Sequence, residues 1–299
     1  MSNKNSVELD VYQAPDVTAV LATIGQPRLT PYRTFFKCTS DEEALGAYFW
    51  GQAVAGAFQP CLGMYEVTLR NAIHQAASRH SSKQTNDSYP WYDYTRHDCL
   101  TIRGKTRAKV EEILYGGNPP LRLLLQPTPD AVVAALSFGF WPSFLAGLNK
   151  PETSRIFTDT FHFHPNSKPT HWSNSDNVAS LVGTLKDIQG LRNAVAHLEP
   201  IWKPHRLNND ENHWSKSVAS LREKHASMIK VMAWCSPASA AAVEHSYGNR
   251  LFKKVCSTDA VQAFMRNPFS AGDMTLFSSV VAGRTSTSAS GPAANDAAA

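Results

Sequence analysis

Residues Ser175–Trp202 read SDNVASLVGTLKDIQGLRNAVAHLEPIW, and the period of their apolar positions decides the fold class. Val178, Leu181, Val182, Leu185, Ile188, Leu191, Val195 and Leu198 recur at spacings of three and four. On a helix they form one apolar stripe that has to be buried. Ser175 or Asp176 can cap the orphan N–H groups at the start, and Pro200 pushes Glu199 out of the α region at the end. The helix so bounded has about 22 residues and a length of roughly 33 Å. A single stripe needs other helices to cover it, so the expectation is an all-α bundle.

The same stretch closes on a polar cluster. At about 100° per residue, Arg192 and His197 lie roughly 140° apart on an ideal helix, whereas Asn193 and His197, four residues apart, share a face. His197 falls in the last turn, beside unpaired carbonyls and the negative end of the helix dipole, a setting suited to an imidazole that handles a proton. Arg192 offers a permanently charged planar fork that matches phosphate oxygens, and Asn193 can orient His197 or bond a phosphate. The structural alternative pairs Arg192 with Asp187 or Glu199 and makes His197 a satisfied core histidine.

Working upstream, Asp41-Glu42-Glu43 supplies the acidic first turn of a helix carrying Leu45, Tyr48, Phe49 and Val54, and Pro60 opens a second helix over about residues 60–80. That second helix places Glu66, Arg70 and His74 on one stripe. Glu66 and Arg70 either form an internal ion pair or, if the stripe faces Arg192 and His197, orient them from behind. Ala131–Leu148 is an 18-residue uncharged run, long enough to raise the question of a membrane span. Its Gly139, Pro142 and Gly147 predict instead two buried helical pieces meeting near Trp141-Pro142.

Three blocks in this order carry a resemblance: Tyr65-Glu66-Val67-Thr68-Leu69-Arg70-Asn71, Leu136-Ser137-Phe138-Gly139-Phe140-Trp141, and Arg192-Asn193-Ala194-Val195-Ala196-His197 followed by Leu198-Glu199-Pro200-Ile201-Trp202. Together they resemble the E-x-x-L-R-N, xFGxW and RxxxxH segments of HEPN domains as carried by Abi-like (abortive infection) proteins. This chain has Ala194 where many relatives carry a basic residue, and Leu198 where many carry His or Asn. The resemblance implies a HEPN-like helical bundle with additional helices. It implies an endoribonuclease in which Arg192, His197 and Asn193 are catalytic and Glu66, Arg70, Asn71, His74 and Glu199 support them. It also implies no cofactor, a homodimer apposing two motifs, products with 2′,3′-cyclic phosphate and 5′-hydroxyl ends, and a defence or toxin role, with an antitoxin partner possible. The alternative is a non-catalytic RNA-binding module, or an antitoxin-like partner, that holds a structured RNA.

Composition permits this reading without demanding it. The 299 residues are 42% hydrophobic with a net charge of +4, and the pI is near 8.8; phosphate binding depends on clustered rather than total charge. One such cluster, Arg103, Lys105, Arg107 and Lys109, is a candidate RNA-contacting strip, or simply a solvated helix face. It leads into a helix ending at Gly116-Gly117. The Tyr89–Tyr94 stretch, YPWYDY, can stack on unpaired bases or cover a core edge. Gly104-Lys105-Thr106 is not a phosphate loop, because Cys99 stands where the motif needs its first glycine. His162, His164 and His171 lack a thiolate or a fourth ligand nearby, so no metal site is expected.

Five cysteines, Cys38, Cys61, Cys99, Cys235 and Cys256, are scattered and odd in number. They read as reduced thiols of a cytoplasmic protein, and the polar Met1–Asp10 does not read as a signal peptide. The expected organisation is a loosely ordered arm over 1–30, a helical domain over 31–255, and a tail over 256–299 that is disordered from about Gly283. Further helices are expected over about 131–140, 142–149, 151–162, 212–235 and 237–252, with a turn at Asn208-Asn209-Asp210 and no sustained strand.

Overall fold

The computed structural model describes residues 15–117, 120–203 and 214–269. In chain order its elements are α1 (Val17–Ile24), α2 (Gln26–Phe36), α3 (Asp41–Ser81), α4 (Gly104–Leu114), β1 (Tyr115–Gly116), β2 (Leu121–Arg122), α5 (Pro129–Ala135), α6 (Phe140–Gly147), α7 (Lys150–Thr160), α8 (Pro169–Trp172), α9 (Ser175–Ala196), α10 (Trp214–Cys235), α11 (Pro237–His245), α12 (Tyr247–Val255) and α13 (Thr258–Arg266). The fold is all-α apart from one small ladder. The chain divides into two units: 1–50, 208–214 and 258–299 form the first, and 51–207 with 215–257 the second. α3 belongs to the first up to Trp50 and to the second from Gly51.

In the first unit, α1 and α2 make residues 17–30 helical in place of the loosely ordered arm expected there, while residues 1–14 of that arm lie outside the described residues. The cause is local capping combined with burial. The Asp16 carboxylate accepts the Ala19 N–H at 3.2 Å, Gly25 turns the chain at φ +87°, and Pro27 sits in the first turn of α2. Leu21 and Leu29 then pack on Leu45 of α3. The expected tail likewise contains α13, whose Val261 is buried. A Cβ on Gly46 of α3 would lie 2.1 Å from the Phe264 carbonyl oxygen, so backbone meets backbone there. The expected disorder from Gly283 and the turn at Asn208-Asn209-Asp210 lie outside the described residues.

In the second unit, Pro60 does not begin a helix. It sits inside α3, which runs unbroken for 41 residues. The ring removes a bond to the Gly56 carbonyl, and Gly248 of α12 lies directly against it; a Cβ on Gly248 would be 2.7 Å from the Pro60 Cβ. Phe58, two residues before Pro60 on α3, packs edge-on against Phe252 of α12 at 4.7 Å between ring centroids. α5 and α6 are bent by 112° about residues 136–139, so the uncharged run is two separate pieces with the break before Trp141. Among the described residues no single helix is long and apolar enough to cross a membrane.

α4 stops at Leu114, not at Gly116-Gly117, and a short antiparallel ladder pairs Tyr115 with Arg122 and Gly116 with Leu121. Gly117 at φ +84° makes the turn, and Arg122 is held by Asp93 at 2.5 Å. Such two-residue strands carry too little alternation to be legible in sequence. The middle of the YPWYDY stretch is core: Trp91 and Tyr92 are buried, Trp91 lies 4.6 Å from Phe144 between ring centroids, and Tyr89 and Tyr94 are half-buried. All five cysteines are free thiols, and burial pushes Cys61 and Cys256 up to about 12.

Candidate functional site

The site begins where α9 ends. Asn174, one residue ahead of the expected caps, accepts the Asp176 N–H at 2.8 Å and starts the helix. Leu181, Val182, Leu185, Ile188, Leu191 and Val195 are buried as the stripe requires, but Leu198, expected in the same stripe, lies beyond the helix end and is exposed. The helix closes at Ala196, so His197 is its C-cap rather than part of its last turn. Leu198 turns left-handed at φ +57°, its N–H donates to the Val195 carbonyl at 3.2 Å, and the Glu199 N–H donates to Ala194 at 2.8 Å. This pair of bonds satisfies the last carbonyls. Pro200 prevents continuation, and Ile201 and Trp202 are buried immediately after.

This geometry leaves the polar residues outward. Asn193, His197 and Glu199 are exposed. The Arg192 side chain is 42% exposed and neither sealed in the core nor paired with Asp187 or Glu199; its Nε approaches Glu66 Oε2 of α3 at 3.8 Å. At that distance the pair steers the guanidinium by charge rather than by a hydrogen bond, and an exposed pair contributes under about 1 kcal/mol. Glu66 therefore turns to Arg192 and not to Arg70.

The three sequence blocks meet at this place. Tyr65, next to Glu66, lies 5.8 Å from Phe138 between ring centroids. Gly139 faces the Gln189 amide so closely that a Cβ would stand 2.6 Å from Nε2, and Gln189 is three residues before Arg192. Segments far apart in the chain thus meet here: α3 through Tyr65 and Glu66, residues 138–139 ahead of α6, and the last turns of α9.

The remaining supporting residues are placed differently. Arg70 is half-buried, and its Nε has no hydrogen-bond partner among the described residues. Asn71 is exposed, and with Arg70, His74 and Asp130 it lines a cavity of about 350 Å³. His74 is buried and turned to Trp91 and Asp130, not to Arg192. Its Nδ1 accepts the Trp91 indole N–H at 2.9 Å, which places the neutral ring's proton on Nε2, 3.3 Å from Asp130 Oδ1. Burial holds its pKa below the ordinary histidine value despite Asp130. Nothing in the sequence linked residues 74, 91 and 130.

The basic strip is exposed but unequal. Arg107 pairs with Glu111 at 2.9 Å and covers the Tyr94 ring at 4.0 Å, and Lys109 pairs with Glu112 at 2.6 Å. Arg103 and Lys105 have no ion-pair partner among the described residues. His164 and His171 stack at 5.2 Å, but among the described residues no three His, Cys, Asp or Glu side chains converge as a metal requires.

What the site can do chemically is set by its two charged or chargeable groups. A guanidinium and an imidazole stand at an open helix end, with a carboxylamide between them and a carboxylate behind the guanidinium. Comparison with family models, with curated proteins and with solved structures returns no match to this chain.

Proposed function

We propose that the chain is a metal-independent endoribonuclease of the HEPN type, acting as an abortive-infection or toxin-like effector. The observation that carries the reading is the Glu66–Arg192 approach, made where the three resembling blocks meet and beside an exposed His197. Cleavage joins the 2′-oxygen to its own phosphorus and breaks the bond from phosphorus to the 5′-oxygen. The proton leaving the 2′-hydroxyl goes to a base, and the departing 5′-oxygen takes one from an acid. His197 serves the proton transfers, worth about 10²–10⁴-fold in rate. Arg192 binds the phosphate oxygens and stabilises the charge that develops on them. One imidazole does not act as base and acid at once, so the second is supplied by His197 of a second copy in a homodimer. The roughly 140° between Arg192 and His197 on an ideal helix has the same remedy.

The test is RNA cleavage by purified Arg192→Ala and His197→Ala. Each is expected to lose about 100-fold or more, with unchanged helical circular dichroism. Products are expected to carry 2′,3′-cyclic phosphate, and a chelator is expected to leave the rate unchanged. Full activity in both folded variants, or a strict divalent-metal requirement, refutes the assignment. The second reading, RNA binding without cutting, draws on the unpaired Arg103 and Lys105. It is supported if RNA binds uncut, weakens in Arg103→Ala/Lys105→Ala, and is indifferent to His197→Ala at low salt.

A further inference from the structure

β2 and the turn after it carry the most exposed large apolar side chains among the described residues. Leu121, Leu124 and Leu125 are 71%, 107% and 89% exposed, and Leu123 is exposed beside them. The segment is nonetheless pinned. Arg122 clamps the Asp93 carboxylate through both outer nitrogens, at 3.1 and 2.5 Å, and the Leu123 N–H donates to the Leu114 carbonyl at 3.0 Å. The Gln126 Nε2 donates to the Leu123 carbonyl at 2.5 Å, and Pro127 and Pro129 stiffen the chain on either side of Thr128, the cap of α5. A leucine knob is thus held out into water in one shape, so little ordering is lost when something covers it. Contiguous exposed leucine of this kind marks a contact surface.

The same chain has an unfilled apolar groove of about 680 Å³, formed by α6, α7, α8 and the first half of α9. Trp172 and Val182 are its buried floor, and Ala146, Pro151 and Ala179 are exposed along its walls. Small residues leave the room, and a Cβ on Gly183 would meet nothing within 4 Å. Lys150 and Lys186 stand exposed on the rim, and no carboxylate lines the groove.

We propose that the Leu121–Leu125 knob of one copy seats in the α6–α9 groove of a second copy. An apolar patch and an apolar pocket at different places on one chain fit each other between copies, and the contact needs no other partner. Charge agrees. The groove brings two cations and no anion, and the one cation of the knob, Arg122, is neutralised by Asp93. The Leu124 and Leu125 carbonyls have no hydrogen-bond partner among the described residues, and the rim lysines are donors suited to them. A membrane would cover the knob but leave the groove empty, and an inserting loop needs free cations beside it for anionic headgroups. A free alkyl acid would fill the groove but leave the knob in water. The contact uses neither Arg192 nor His197, so it stands apart from the nuclease reading.

The test is sedimentation of the full chain and of two variants at exposed positions, Leu124→Asp in the knob and Ala179→Arg in the groove. Wild type is expected to self-associate as its concentration rises, and each variant about tenfold or more weakly, with unchanged helical circular dichroism. Mixed together, the two variants are expected to bind each other about tenfold or more tighter than either binds itself, because one retains the groove and the other the knob. His197→Ala is expected to associate as wild type does. The proposal is overturned if wild type stays monomeric, whether or not it binds phosphatidylcholine vesicles or laurate, or if Ala179→Arg associates like wild type. It is also overturned if the mixture associates no better than its parts, the result expected where leucine pairs with leucine.

Discussion

At Leu198 the backbone is left-handed with φ +57°, a conformation that costs a leucine about 1–2 kcal/mol. Leu198→Gly is therefore expected to raise stability by up to about 1 kcal/mol, after glycine's own entropic cost, seen as a higher urea midpoint at constant slope. Glu66→Gln tests the steering of Arg192. With the pair at 3.8 Å and partly exposed, cleavage is expected to fall less than about tenfold, against the far larger loss in Arg192→Ala. His225 sets a pH limit. Its pKa is lowered from 6.5 to about 4 by burial and by Lys253, so the unfolded chain binds more protons than the folded one over that interval. Stability is then complete above about 6.5 and is lost as pH falls toward 4, by at most about 3 kcal/mol. His74 and His164, also lowered by burial, act in the same direction. A thermal melt series from pH 7 to 4.5 checks this, with His225→Gln expected to be flatter than the wild type.

Among the elements, α3 shows how a local rule yields to packing. A proline in a helix interior costs about 3 kcal/mol, which is why Pro60 reads as a helix start. Here it is retained inside α3 with Gly248 of α12 fitted against its ring. Gly248→Ala would place a methyl 2.7 Å from a rigid ring, and a loss of about 1–3 kcal/mol in unfolding free energy is expected. Gly139→Ala meets only the flexible end of Gln189, 2.6 Å away, and is expected to be milder than Gly248→Ala in the same measurement. α9 is the opposite case. Its stripe, its start within one residue and its stop before Pro200 were legible in sequence, because capping and the 3.6-residue period act within a few residues of each other. Its end at Ala196 was not, since the left-handed Leu198 depends on Ile201 and Trp202 being drawn into the core.

For the whole molecule, charge placement matters more than the net +4. Arg107 and Lys109 are partly neutralised by glutamates on their own helix, whereas Arg103 and Lys105 are not. Reversing Arg103 and Lys105 together is expected to weaken RNA binding and flatten its salt dependence more than reversing Arg107 and Lys109, as filter-binding titrations across salt would show. The sequence by itself determined an all-α chain and the period and caps of its main helix, because those follow from residues adjacent along the chain. Only the tertiary structure decided that Glu66 turns to Arg192 while His74 turns to Trp91 and Asp130. It likewise decided that Trp91 and Tyr92 of the YPWYDY stretch are core. Those outcomes join residues far apart in the chain, and the packing of one helix on another, not any local pattern, selects which of their faces meet.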